Sequence, residues 1–171
     1  MNFVCEEFRC DPSSDWYNYK KNGAGVKYEF ALALRRPNIV WIRGPEPAGK
    51  IQYGTMFRGG KKNDKGKDES ALYYQLPEGK KAIGDSGYDW MPEKVTVTRD
   101  GQSRDFQKFL GRAKNRQESL HSRLKAFRVL GCRFRHGKGT KNKLELHKIC
   151  VEAVCVIVQY DMECGNPIFD L

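Results

Sequence analysis

Between Arg104 and Phe127 the apolar residues are spaced for one face of a long α-helix. At 100° per residue, Phe106, Phe109, Leu110, Ala113, Leu120, Leu124 and Phe127 fall within an arc of about 100°. A strand cannot gather that spacing, so the stripe must lie on a core that other parts of the chain supply. Glu118 stands off the stripe. Lys114, Ser122 and Lys125 lie within about 40° of it, and Gln107, Gly111 and Arg104 continue the polar row. Upstream, KKAIGDSGYDWMPEK predicts a short buried strand, Ala82-Ile83, ending in Asp85 and a Gly-Tyr turn. One acid at a strand end and another on the outer face of a helix can hold Mg²⁺ or Mn²⁺ for phosphodiester chemistry, because oxygen ligands suit a hard cation. The plainer reading is a solvated helix face with one ordinary glutamate.

The core must come largely from the first third of the chain. Val26, Tyr28, Phe30, Leu32 and Leu34 alternate with Lys27, Glu29, Ala31 and Ala33, the period of a strand. Arg35-Arg36-Pro37-Asn38 turns the chain, and Ile39 to Ile42 returns as the second arm of an antiparallel hairpin. Pro45 and Pro47 predict an extended exit from that arm. Residues 1–25 read as an irregular entry with turns at Pro12-Ser13-Ser14 and Asn22-Gly23. Gly59 to Ser70, GGKKNDKGKDES, reads as a flexible insert. Ala71 to Leu76 predicts a short helix, and Glu93 to Thr98 a short edge strand or an extended arm. Leu130-Gly131 supplies a C-cap for the long helix. Lys143 to Glu163 predicts a second helix. It is apolar nearly all round from Ile149 to Val158 and so expected to be deeply buried, with a strand as the runner-up because of its β-branched residues.

A length of 171 residues fits one domain. There is no run of 18 apolar residues, so no membrane partner is expected. The cysteines lack a CxxC pair and read as reduced thiols of an intracellular protein. Cys132, His136, His147 and Cys150 form a C-x3-H-x10-H-x2-C series, but the spacing matches no common zinc finger, and structural His and Cys are preferred. Gly44 to Lys50 imitates a phosphate loop; Ile51 replaces the hydroxyl that would bind Mg²⁺, and two prolines remove backbone donors.

The net charge of +10 is concentrated. Gly101 to Lys143 holds thirteen Lys/Arg against two Asp/Glu, a net of +11, so everything else sums to −1. That is the footprint of a polyanion-binding surface, and double-stranded DNA is the expected partner. Arg104, Lys108, Lys114, Lys125, Arg133, Arg135 and Lys138 are its candidate contacts.

The runs WYNYKKNGAGVKYEFALAL, IVWIRGPEPAGK, GTMFRGG, GDSGY, RAKNRQESLHSRLKAF, RFRHG, EAVCVIVQY and GNPIFDL stand in the order and spacing of a Harbinger-type DDE transposase domain, which they resemble. The resemblance covers nearly the whole chain from Trp16 onward. It implies an α/β, RNase H-like mixed sheet flanked by helices, divalent-metal catalysis with Mg²⁺ or Mn²⁺, DNA strand cleavage and transfer, and a nuclear location. A separate DNA-binding partner protein is also an expectation. In this resemblance Asp85 matches the acid of the Asp-x-Gly-Tyr motif and Glu118 the terminal glutamate of the triad, both as metal ligands.

Two departures from the family follow from the same residues. No aspartate stands on a strand ahead of the Trp-Tyr segment; Asp11 and Asp15 lie in a Pro/Ser-rich turn. The catalytic strand at the N-terminus is therefore expected to be missing or altered, and the domain to be N-terminally incomplete. Where the family carries an Asp before its Phe-Arg motif, this chain has Tyr53. A phenol with a pKa of about 10 does not replace a carboxylate as a hard-cation ligand. Three readings stay open: an active nuclease using Glu6, Glu7 or Asp11 as a replacement acid, an inactive or domesticated DNA-binding protein, or a module whose basic patch meets an acidic protein.

Overall fold

A computed structural model describes residues 1–5, 14–19, 22–61 and 68–171. The fold is mixed α/β and divides into two compact units. Met1–Ile51 and Ser119–Ile168 make the first; Gln52–Glu118 and Phe169–Leu171 make the second.

The first unit is built on strand β3 (Gly23–Leu32), which pairs antiparallel with β1 (Asn2–Val4), β2 (Tyr17–Asn18) and β4 (Ile39–Pro47). Residues 1–25 therefore contain two strands where an irregular entry was expected. They flank β3 on opposite sides, with Phe3 opposite Val26 and Tyr17 opposite Ala24. The alternation read from Val26 onward is also only half of the pattern. Ala24 to Phe30 are all buried, including Lys27 and Glu29, so β3 is covered on both faces. The return arm runs on through both prolines to Pro47, with Val26 opposite Pro47. Proline is tolerated there because β4 is an edge strand, where a missing N–H breaks no ladder bond on the open side.

Helices close one face of this sheet. α3 (Arg104–Ala126) contributes Leu120 and Leu124 to the core, α4 (Arg128–Gly131) contributes Leu130, and α5 (Gly139–Glu163) contributes Val151, Val154, Val158 and Met162. Gly131 thus lies at the end of its own short helix; α3 stops at Ala126, and Phe127 is extended between the two. α5 begins four residues before the predicted start at Lys143. Its expected burial on all sides is wrong: Ile149, Val156, Ile157 and Tyr160 are exposed while Val151, Val154 and Val158 face the core. Of the long-helix stripe, Leu110, Leu120 and Leu124 are fully buried, but Phe106 in the first turn is exposed.

The second unit gathers α1 (Tyr53–Arg58), α2 (Leu72–Gln75), β5 (Ala82–Ile83) and β6 (Val95–Thr96) around Phe57, Met91, Val95 and Val97. β5 and β6 pair in parallel, Ala82 with Val95 and Ile83 with Thr96, so the short strand is present but half-buried. Half of the expected 59–70 insert, residues 62–67, lies outside the described residues. Its described ends meet where the Asp68 N–H donates to the Gly59 carbonyl at 2.9 Å.

Candidate functional site

The site grows from the end of β5. Its chain leaves the sheet at Gly84, where a Cβ would come within 2.8 Å of the Val95 side chain, so the turn can close tightly only with glycine. Asp85 follows. Its Oδ1 accepts the Gly87 N–H at 2.9 Å and caps the short 3₁₀ turn Ser86–Tyr88. The carboxylate is thereby fixed in direction while it stays exposed. Tyr88 of the same turn packs edge-on against Phe57 of α1, with ring centroids 5.6 Å apart. α1 is further seated by Gly54, where an added Cβ would lie 2.7 Å from the Trp90 Nε1. Arg58 rests over the Trp90 ring at 5.7 Å. Close packing of α1 on this turn brings Tyr53, its first residue, toward Asp85.

Glu118 arrives on α3. In the second unit the rotation of that helix is set by polar contacts with the segment after β6. Lys114 Nζ donates to Thr98 Oγ1 at 2.9 Å, and Gln107 Nε2 donates to the carbonyls of Arg99 and Gln102 at 3.3 and 3.2 Å. Glu118 lies one turn beyond Lys114 on the same helix face and is exposed. The three positions converge. Tyr53 has its phenol pushed up to about 12, first by burial and then by the negative charges of Asp85 and Glu118. A phenol that senses both carboxylates sits within the electrostatic reach of each.

This convergence defines what the site can do. Tyr53 stays protonated at any physiological pH, so it offers a hydroxyl and no anionic oxygen. Two exposed carboxylates, one of them already accepting a backbone hydrogen bond, can attract a hydrated dication. They supply fewer anionic oxygens than an ion with strict octahedral demands needs for fixed placement. Among the described residues no three His, Cys, Asp or Glu side chains gather in an arrangement for a metal ion. Among the described residues the donor set, two carboxylates and a phenol, is smaller than a two-metal centre would need. The alternative acids Glu6, Glu7 and Asp11 lie outside the described residues. Asp15 is engaged elsewhere, with its carboxylate 2.9 Å from Lys50 Nζ.

The candidate nucleic-acid residues divide between the units. Arg104, Lys108 and Lys114 belong to the second, Lys125, Arg133, Arg135 and Lys138 to the first. Lys114 is half-buried and committed to Thr98, and Lys108 lies 3.6 Å from Asp105. Arg133, Arg135 and Lys138 are exposed on the segment between α4 and α5. That segment is tied down at Phe134, which is buried, bridges Cys5 in parallel and donates its N–H to the Val4 carbonyl at 3.0 Å. Alternation about Phe134 turns both arginines outward. Two of the basic residues counted in the sequence are not available to a polyanion: Arg116 and Lys143 are buried.

His147 and its neighbours are structural. The ring is buried among Phe3, Phe134 and Tyr28, and its Nδ1 lies 2.9 Å from the Tyr28 hydroxyl in a hydrogen bond. Burial lowers its pKa to about 4, so it is neutral at pH 7. Of the C-x3-H-x10-H-x2-C series, His147 is a buried core residue, Cys150 is half-buried, and Cys132 and His136 face solvent.

The contributions of Thr98, Trp90 and Gly54 were not anticipated from sequence. A Thr in an extended arm and a Gly inside a helix carry no local signal of what they touch. No family model, curated protein or solved structure matches this chain.

Proposed function

We propose that this chain is a DNA-binding domain derived from a metal-dependent DDE endonuclease of the Harbinger type, with an RNase H-like ancestry and a catalytic set that is no longer complete. One observation carries the reading: α1 packs on the Ser86–Tyr88 turn, which brings Tyr53 toward Asp85, and the Tyr53 phenol lies within electrostatic reach of both Asp85 and Glu118. These are the three positions that the family resemblance marks. The substitution of a phenol for the expected acid accounts for the loss of a defined metal centre. The exposed Arg133, Arg135 and Lys138 support duplex DNA as the partner, because cations that point outward release counterions when they meet phosphates.

The second reading, a basic interaction module with no nucleic-acid role, is favoured only by the division of the basic residues between two units. A nicking assay on supercoiled DNA with Mg²⁺ or Mn²⁺ separates the possibilities. Wild type should cleave poorly or not at all, and Tyr53→Asp should gain activity if the remaining geometry is intact. Robust wild-type nicking abolished by Glu118→Ala would show that the site is complete and the proposal wrong about Tyr53. Failure of wild type to bind DNA at low salt would remove the nucleic-acid reading altogether.

A further inference from the structure

We infer that the groove between β4 and α5 in the first unit is a docking site for a basic amphipathic helix of another polypeptide. The inference does not depend on the proposed DNA role. Its floor and walls are apolar: Ile39 and Ile42 from β4, with Cys155, Val156 and Tyr160 from α5. Val156 at 70% and Tyr160 at 68% exposure stand open in it, and Ile149 at 59% and Val40 at 58% are exposed on the same two elements. On α5, Ile149, Ala153, Val156 and Tyr160 lie within about 60° of one another, a continuous stripe along nearly the whole outer face. Exposed apolar area gathered in this way, rather than scattered, marks an interaction surface.

Charge selects the occupant. In a chain of net charge +10, α5 from Glu145 to Glu163 carries four carboxylates and one lysine. Glu145, Glu152 and Glu163 fall on one row, within about 20°, beside the apolar stripe. Glu152 and Glu163 line the groove itself. Glu163 is held in place, its Oε1 accepting from Gln159 Nε2 at 2.7 Å and Asn38 Nδ2 at 3.2 Å. Glu152 forms an exposed ion pair with Lys148 at 3.7 Å, a pairing of little strength that a partner's cation can replace. A duplex or an anionic membrane is repelled by this rim. A second copy seated antiparallel on α5 would set the acidic flank against its own symmetry mate, since an isologous contact repeats the same patch. A helix with apolar residues at i, i+3/i+4 and i+7 and lysines or arginines alongside satisfies both floor and rim.

The test uses a fluorescein-labelled synthetic helical peptide with leucines on one face and lysines flanking them, read by anisotropy. A control peptide carries glutamates in place of the lysines. The lysine peptide should bind saturably, and the glutamate peptide at least about tenfold more weakly. Val156→Glu should weaken binding by about tenfold or more; its side chain is open to solvent, and an unchanged melting temperature would show that the fold is kept. Glu152→Gln with Glu163→Gln should weaken lysine-peptide binding without affecting any DNA binding. Equal binding of the two peptides, absence of saturable binding up to about 1 mM, or indifference to Val156→Glu would overturn the inference. So would sedimentation showing that the chain self-associates and that Val156→Glu makes it monomeric, since the face would then belong to a second copy.

Discussion

Replacing Glu29 with glutamine should abolish a pH-dependent penalty on the fold. Glu29 is buried in β3, opposite Arg43 of β4, and one carboxylate oxygen accepts the Trp41 indole N–H at 2.9 Å. Burial outweighs these favourable partners and raises its pKa from 4.5 to about 7. The folded state therefore holds this proton more tightly than the unfolded chain. Stability from this group is fully present below pH 4.5, falls as pH rises toward 7, and stays low above it. A difference of roughly 2.5 units at 1.36 kcal/mol each is about 3 kcal/mol, an upper figure for a group whose surroundings relax. His147 works in the opposite sense: with its pKa lowered from 6.5 to about 4, it makes the protein less stable as pH falls through that window. The two slopes nearly cancel in wild type between pH 4.5 and 6.5. In Glu29→Gln only the His147 slope remains, so stability should climb with pH across that range. Relative to wild type the variant should gain up to about 3 kcal/mol on going from pH 4.5 to pH 8. The amide adds a pH-independent offset, so the slope is the quantity to read. Urea unfolding followed by tryptophan fluorescence at a series of pH values measures it. Parallel wild-type and variant curves would refute the argument that burial controls this carboxyl.

Three further outcomes are expected. Gly54→Ala should cost about 1–3 kcal/mol by thermal unfolding, because the new methyl collides with the Trp90 ring at 2.7 Å. Leu124→Ala should cost about 2–5 kcal/mol in urea titration, since the side chain is wholly buried in the first unit's core. Replacing Arg133, Arg135 and Lys138 by Ala should flatten the salt dependence of duplex binding, by about 0.9 in log–log slope for each phosphate no longer neutralised; an unchanged slope would show that none of the three meets a phosphate.

Elements with strong local periodicity were legible in the sequence. The α3 stripe and the β3–β4 hairpin follow from side-chain spacing, as do the places of Asp85 after a short strand and of Glu118 on an exposed helix face. What failed depended on distant partners. Nothing within residues 1–25 signals that β1 and β2 will pair with β3, because a three-residue and a two-residue strand carry too little pattern. β4 ran past two prolines because edge position, invisible in sequence, removes their cost. α5 looked buried all round because hydrophobicity does not reveal whether anything covers each side. Conversely Lys27 and Glu29 looked solvent-facing because the alternation does not reveal that both faces of β3 are buried. The convergence of Tyr53 on the two acids needed the Gly54–Trp90 contact to seat α1, and no spacing rule encodes that.

The central claim is that Asp85, Tyr53 and Glu118 form one carboxylate site in which a phenol stands where a third ligand is needed. Mn²⁺ binding, followed by the paramagnetic relaxation of water protons, tests it most directly on wild type, Tyr53→Asp and the pair Asp85→Asn with Glu118→Gln. Wild type should bind weakly, with Kd about 1 mM or above, Tyr53→Asp at least about tenfold more tightly, and the double variant without measurable site binding. Micromolar binding by wild type, or an affinity that Tyr53→Asp leaves unchanged, would contradict the account.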